Sequence, residues 1–562
     1  MSQQSEYAKK IWLESYEDGI KFDVEFKDIL VPQFLEDTAK QYPGHKALTF
    51  QGYSVTFTEL NEMVARFAAV LKNFGVKPGD SVAILLPNII PCVVAYYAIH
   101  RIGAIVVLNN PLYSDRELEH QFNDSGSVFL ITLDLLADRM VKLREKTSIK
   151  TIVWTSIGDY LPFVKRLLFP LVAKKKGLAK DVTPAKDLYA FKDILAQHSP
   201  DYEQAELKLD DVAMYQYTGG TTGVSKGVEL THRNISYQIQ QIREWFPSFK
   251  MGEEIMLGAL PIFHVFGMSV SMNLAIYMGW ENVLVPKPQP EPLLEAISKF
   301  KVTFAPMVPT MYIGLLNHPD IDNTDLTSIK GCFSGSAPLP LEVISNFQQK
   351  TGSIIVEGYG LTESTPVTHI NPFFGNRKQG SIGTPIPETE CKIVDIDNKT
   401  TEMPVGEAGE LLMRGPQIMK GYHNRPDETA KTLLEGGWLC TGDVAKMDDE
   451  GYFYIVDRIK DMILSGGYNV YPRDIDEVLF EHPKIVEACC IGIPHPKRGE
   501  AVKAFIVLKE GQTMTPEEVI AYCGEKLAKY KLPVEVEFRQ ELPKSNVGKI
   551  LRKDLRAEQE GK

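Results

Sequence analysis

The chain has 562 residues, 44% of them hydrophobic, with 61 Lys+Arg against 73 Asp+Glu and a net charge of −12. That length predicts several domains rather than one core. The acidic balance, with a pI of about 5.6, argues against a protein whose main partner is nucleic acid, because binding phosphates by charge needs a basic surface.

The seven cysteines form no CxxC pair, so neither a disulfide framework nor a zinc site is indicated and they are expected to be small buried residues. The polar N-terminus lacks the basic-then-apolar order of a secretory signal, which makes the cytoplasm the expected location. No apolar run reaches the roughly 20 residues needed to span a bilayer. The best candidate, Val82 to Ile99, is interrupted by Pro87, Asn88 and Pro91 and reads as a strand (Val82–Leu86), a turn and a helix.

From residue 30 to about 380, short apolar runs alternate with helical patterns. The runs are Ala104–Leu108, Val128–Thr132, Thr151–Trp154, Asn282–Val285 and Ile354–Glu357. Fully apolar strands separated by helices predict α/β layers with mostly parallel sheets. From about 380 to 456, closely spaced Gly and Pro with short alternating strands (Gly409–Gly415, Gly451–Val456) predict a small antiparallel β unit. After the charged stretch Asp457–Asp461 the pattern resets. Helix Pro472–Glu481, strands Val486–Ile491 and Ala501–Leu508, helix Thr515–Leu527 and a last strand Val534–Phe538 predict a compact α+β C-terminal domain.

The segment Tyr160–Lys176 mixes large apolar residues with five cations. It reads either as an amphipathic element packed on the domain, or as an interfacial segment whose apolar side rests in a bilayer while Lys174, Lys175 and Lys176 meet anionic headgroups. Pro162 and Pro170 argue against one continuous helix.

Three runs are suited to binding a nucleotide. Tyr217-Thr-Gly-Gly-Thr-Thr-Gly-Val-Ser-Lys-Gly227 supplies glycines, hydroxyls and a lysine for a loop around a polyphosphate. Its order is not GxxxxGK[ST], so it is not the loop of the P-loop NTPases; it is expected between the strand-like run Val212–Tyr217 and a helix. Gly358-Tyr-Gly-Leu-Thr-Glu363 is expected as a turn after a strand, at the sheet edge where α/β folds bind ligands. There Tyr359 can stack on a base, Thr362 can bond a phosphate, and Glu363 can supply a hard oxygen to Mg²⁺; such a turn also occurs for purely structural reasons. In Gly437-Trp-Leu-Cys-Thr-Gly-Asp443 followed by Asp457-Arg458, the Asp can accept both hydroxyls of a ribose and the Arg can hold the other side.

Together with Pro543-Lys-Ser-Asn-Val-Gly-Lys549, these runs occur in an order that resembles the adenylate-forming superfamily of acyl-CoA synthetases, luciferases and adenylation domains. The likeness covers nearly the whole chain, and residues 436–463 are similar to the fatty-acyl-CoA synthetase signature. The resemblance implies a large N-terminal AMP-binding domain (1–459), made of two α/β layered subdomains and a small β-barrel near 380–456. A smaller mobile α+β domain (460–562) would turn about a hinge at Lys460. It implies ATP-dependent activation of long-chain fatty acids to acyl-CoA through an acyl-adenylate, using ATP, Mg²⁺ and coenzyme A. An aryl- or medium-chain acyl-CoA ligase and a catalytically silent acyl- or nucleotide-binding scaffold are the alternatives.

By motif position the resemblance assigns Thr218, Gly219, Gly220, Thr221, Thr222, Gly223 and Lys226 to the phosphates and Gly335, Ser336, Ala337, Gly358, Tyr359, Gly360 and Thr362 to the region of adenine and the α-phosphate. It gives Asp443 and Arg458 to ribose and Glu363 to the metal. Lys549 would bridge the substrate carboxylate and an α-phosphate oxygen. Phe263, His264 and Gly267 would border the acyl pocket, although a histidine between aromatics is also a common core residue. Ser465, Gly466 and Gly467 would leave room for pantetheine. The accompanying expectations are cytoplasmic placement, peripheral contact with the inner face of the cell membrane through 160–176, and a homodimer.

Overall fold

The computed structural model describes residues 5–173, 177–218, 225–466, 468–545 and 549–560. Runs that are apolar on both faces became buried strands, as their lack of alternation requires: Ser81–Leu85 and Phe129–Leu133 are buried at every position. In an eight-stranded sheet, Val212–Thr218, Ile105–Leu108, Ser81–Leu85, Phe129–Leu133 and Thr151–Thr155 lie side by side in parallel. In a nine-stranded sheet the neighbours are Glu281–Leu284, Ile255–Gly258, Phe304–Met307, Gly331–Ser334 and Ile354–Gly360, again parallel. One continuous core, including Phe246, Trp280 and Phe304, joins the two sheets. Several helices start at side-chain caps that satisfy their free N–H groups; Thr231, for example, opens His232–Trp245 in a capping box with Asn234.

The Gly/Pro-rich region forms a five-stranded sheet in which Glu390–Val394, Gly409–Arg414, Trp438–Met447 and Phe453–Arg458 pair antiparallel. The C-terminal region has its own sheet, centred on the antiparallel pair Ile485–His495 and Gly499–Leu508. Its core is built from Ile475, Leu479, Cys490, Ile506 and Val519. The architecture is a large N-terminal domain of layered α/β sheets with a smaller α+β C-terminal domain. All seven cysteines are free and buried. Among the described residues no helix is long and apolar enough to cross a membrane.

Three local expectations are corrected. The run Lys226–Thr231 is a strand pairing antiparallel with Val212–Thr218, so the Gly/Thr loop joins two strands of a hairpin rather than a strand and a helix. The strand expected to end at Glu357 continues to Gly360 because Gly358–Gly360 pair antiparallel with Val367–Ile370; the turn comes only after it. Residues Phe163–Ala173 form one helix through Pro170. Pro162 precedes the helix and its carbonyl accepts the Arg166 N–H at 2.8 Å, while Pro170 lies within it at the cost of the bond a residue with an N–H would give the Arg166 carbonyl.

Candidate active site

The sheet edge at Gly358–Gly360 is shaped by what side chains would collide with. A Cβ on Gly358 would lie 2.3 Å from the Phe333 ring, and one on Gly360 would lie 1.6 Å from the Pro366 carbonyl oxygen. Between them Tyr359 donates its hydroxyl to Asp443 Oδ2 at 2.5 Å. Asp443 faces Arg458 across the pair Trp438–Met447 and Phe453–Arg458, and Arg458 Nε is 3.2 Å from Asp443 Oδ1. The Asp443 N–H is held by Thr441 Oγ1 at 3.0 Å. A buried carboxylate fixed from two sides, on a backbone itself held by Thr441, thus lies beside the flat, glycine-lined edge. Just after strand Gly331–Ser334, Ser336 takes the left-handed conformation (φ 74°), and a Cβ on Gly335 would press on the Phe266 ring at 3.1 Å. That gives a second narrow wall.

Thr218 and Lys226 are register partners at the mouth of the phosphate-loop hairpin. Gly219, Gly220, Thr221, Thr222 and Gly223 lie outside the described residues. Lys226 pairs with Glu428 and its ammonium sits 4.9 Å from the centroid of the Tyr422 ring. The Tyr422 hydroxyl donates to Glu363 Oε1 at 2.7 Å. Glu363 itself stands on the short turn Thr362–Ser364, with its carbonyl accepting the Met419 N–H at 2.8 Å.

Tyr422 and Glu428 were missed at the level of sequence. Tyr422 reaches the site because Gly421–Tyr422 add a short antiparallel strand to Lys226–Thr231, a pairing across nearly two hundred residues that no local pattern announces. Glu357 was missed as well: half-buried in strand Ile354–Gly360 and bonded by the Leu339 N–H at 3.1 Å, its carboxyl is pushed up to about 7, chiefly by desolvation.

Phe263 and His264 follow strand Ile255–Gly258. The Phe263 carbonyl accepts Gln216 Nε2 at 2.9 Å, tying this turn to the strand that leads into the phosphate loop. A Cβ on Gly267 would lie 2.2 Å from the Pro261 carbonyl oxygen, and from Gly267 the chain runs as a buried π-helix to Asn273, a form often found at functional sites.

Lys549 closes the arrangement. Its carbonyl accepts the Ser545 N–H at 2.7 Å and its own N–H donates to Ser545 Oγ at 3.2 Å, while Lys544 and Ile550 form a bridge that pins the loop base. Burial first, then the charge of Arg458, lowers the Lys549 ammonium to about 8; Arg552 and Lys460 act in the same direction and Asp443 opposes them. The His264 imidazole is lowered to about 4 by burial and then by Lys549. Lys549, His264, Asp443 and Arg458, far apart in sequence, therefore sense one another's charge. An excess of cations around one carboxylate is a place that favours incoming anions.

Lys460 stands on the turn Ile459–Asp461 directly after Arg458. Ser465 and Gly466 belong to a different place: Ser465 pairs with Gly499 and the Gly466 N–H donates to the Arg498 carbonyl at 2.8 Å, within the C-terminal sheet. Gly467 lies outside the described residues.

A tethered carboxylate beside a glycine-lined sheet edge, a Gly/Thr hairpin and a lysine carried by a separate C-terminal domain stand together as in the adenylate-forming class of enzyme. The chain belongs to the AMP-binding enzyme family: the profile "AMP-binding enzyme" matches residues 35–423 and "AMP-binding enzyme C-terminal domain" matches residues 474–549. It is 44% identical, over 98% of both chains, to a long-chain-fatty-acid–CoA ligase of Bacillus subtilis (strain 168). Among solved structures it is similar to ATP-bound MatB from Rhodopseudomonas palustris, with a TM-score of 0.83 and 28% identity over 94% of this chain and 99% of that one. It is likewise similar to the anthranilate CoA ligase AuaEII in complex with anthranoyl-AMP, with a TM-score of 0.84 and 27% identity over 95% of this chain and 98% of that one.

Proposed function

We propose that the protein is an AMP-forming acid–thiol ligase that activates long-chain fatty acids: ATP and a fatty acid give acyl-adenylate and diphosphate, and coenzyme A then displaces AMP to give acyl-CoA. The observation that carries the reading is the Tyr359–Asp443–Arg458 cluster together with Lys549, on a loop held by Ser545, whose ammonium feels the charges of Arg458 and Asp443. In the first half-reaction a carboxylate attacks the α-phosphorus of ATP, so two anions must approach. The barrier is mostly repulsion and orientation, and a cation aimed at the transferring group lowers it. Lys549 fills that role by bridging the carboxylate and an α-phosphate oxygen. Asp443 accepts the ribose hydroxyls, Tyr359 and Gly335–Ala337 border adenine, and Thr218, Thr362 and Lys226 meet the phosphates together with Gly219, Gly220, Thr221, Thr222 and Gly223. Neutral His264 and Phe263 line the entrance to the acyl pocket beside Gly267.

The donor set fits Mg²⁺. Mg²⁺ takes one or two carboxylates and completes its shell with phosphate and water. Glu363, oriented by Tyr422, would hold it. When bound, the ion offsets phosphate charge.

For the second half-reaction the reading has residues 460–562 turn about Lys460, withdrawing Lys549 and presenting Ser465, Gly466 and Gly467 to pantetheine. One site then serves two chemistries. Cytoplasmic placement, peripheral contact with the inner face of the cell membrane through residues 160–176, and a homodimer complete the reading. The dimer is checked by sedimentation equilibrium against the 63.1 kDa chain mass. The function is tested by diphosphate and AMP release across saturated acids from acetate to stearate and aryl acids, with and without coenzyme A. Release greatest with long saturated acids, and AMP accumulating only with the thiol present, is expected. A preference for aryl or medium-chain acids would replace the substrate, and no release with any acid would remove the function.

A further inference from the structure

We propose that the helix Phe163–Ala173 is a shallow anchor for an anionic lipid bilayer, with Phe163, Val164, Leu167 and Leu168 as its inserting face. These four side chains are 72%, 66%, 69% and 52% exposed, which for large apolar residues on one short helix is an exposed patch that calls for a partner. At about 100° per residue their positions fall within one arc of about 140°. Lys165 and Arg166, both exposed, fall on either side of that arc, and Arg166 is placed for its guanidinium to meet lipid phosphates while the apolar stripe enters the acyl boundary.

The opposite side of the helix is fixed to the body. Phe169 packs over Gly158 so closely that a Cβ there would lie 2.4 Å from its ring, and Lys165 Nζ reaches the Gln51 carbonyl at 3.2 Å. The stripe is therefore presented outward by the fold. Charge names the occupant. Residues 160–180 hold six Lys/Arg and no Asp or Glu in a chain of net charge −12, so the local sign is reversed where the apolar face lies. A second copy would bring the same stripe with the same cations, so self-pairing sets like charges against each other, whereas an anionic bilayer supplies both the opposite charge and the hydrocarbon.

This deepens the proposed function, because an acid of long chain partitions into bilayers and an enzyme seated there meets it at high local concentration. The test is co-sedimentation of the full-length protein with phosphatidylglycerol/phosphatidylcholine vesicles and with phosphatidylcholine alone, for the parent, Phe163→Ser/Leu167→Ser and Lys165→Glu/Arg166→Glu. The parent is expected to pellet with the anionic vesicles, and each double variant to lose at least tenfold in partitioning. Turnover of vesicle-borne palmitate should fall while that of soluble octanoate stays at the parent's rate, which also reports that the variants are folded. Pelleting unchanged in both variants overturns the proposal, as does stripe-dependent self-association in vesicle-free light scattering. A parent that pellets through the stripe yet activates no acid upholds the anchor and removes the ligase reading instead.

Discussion

In the proposed mechanism the chemistry concentrates on Lys549, and its environment sets a measurable pH limit. Its ordinary value is 10.5 and the docked arrangement lowers it to about 8. Docking therefore disfavours the charged amine: that cost is present in full below about 8 and is relieved as pH rises from there toward 10.5. Catalysis needs the charged form, so kcat/KM for acid-dependent diphosphate release should decline above about pH 8. Lys549→Arg, which stays charged, should lose that alkaline limb even if its maximum is lower; an identical limb in the variant would assign it elsewhere. Lys549→Ala should reduce adenylation about 10²–10³-fold, the usual loss when one group aimed at transition-state charge is removed. Thioester formation from supplied acyl-adenylate should persist, and equal loss of both steps would contradict the role. Tyr422→Phe removes the hydroxyl that orients Glu363. It should raise the Mg²⁺ concentration for half-maximal activity severalfold with little change in thermal midpoint, whereas an unchanged Mg²⁺ dependence would separate Tyr422 from the metal.

At the scale of elements, the sheet edge depends on glycines whose reason is steric. Gly360→Ala would set a methyl 1.6 Å from the Pro366 carbonyl oxygen, an acceptor already engaged by the Leu361 N–H at 3.0 Å and Ser364 Oγ at 2.5 Å. Overpacking against backbone costs about 1–3 kcal/mol, so the thermal midpoint should drop clearly. Gly44→Ala, where nothing lies within 4 Å of the added carbon, should leave it in place; equal midpoints for the two would sink the steric account. The apolar strands that were named, such as Ser81–Leu85, Ile105–Leu108, Phe129–Leu133 and Glu281–Leu284, were legible to within a residue or two because strands buried on both faces carry an unbroken hydrophobic signal, whereas the four-residue strands Ile255–Gly258, Phe304–Met307 and Gly331–Ser334 were not picked out. Two boundaries were misread for one reason: Gly358–Gly360 and Lys226–Thr231 owe their extended form to antiparallel partners supplied by Val367–Ile370 and Val212–Thr218. Their own Gly-rich or charged composition argues for turn or helix. The site's cations and carboxylates could be named from their motifs, but Tyr422 and Glu357 enter only through tertiary pairing.

At the scale of the whole molecule, the two domains meet through strand Phe453–Arg458. Arg473 of the C-terminal domain donates its N–H to Asp457 Oδ2 at 2.8 Å and Nη1 to the Ile455 carbonyl at 2.7 Å. Arg556 holds Asp461 Oδ1 at 2.5 Å. Between these two fastenings lies Lys460, inside the turn Ile459–Asp461, where the proposed change of backbone angle would swing everything after it. A proline there fixes φ near −65° and is tolerated in the first turn of a helix, so it suits the arrangement in which Lys549 is docked. It denies the other values of φ that turning about this residue requires. Lys460→Pro should therefore keep most of the adenylation rate, read as diphosphate release from ATP and acid. Thioester formation from supplied acyl-adenylate and coenzyme A should fall at least tenfold. If both half-reactions proceed at the parent's rates, the chain does not turn at Lys460. If adenylation alone is lost, the substitution has disturbed the docked state through Arg458, and the pivot must be sought elsewhere along the connection between the two sheets.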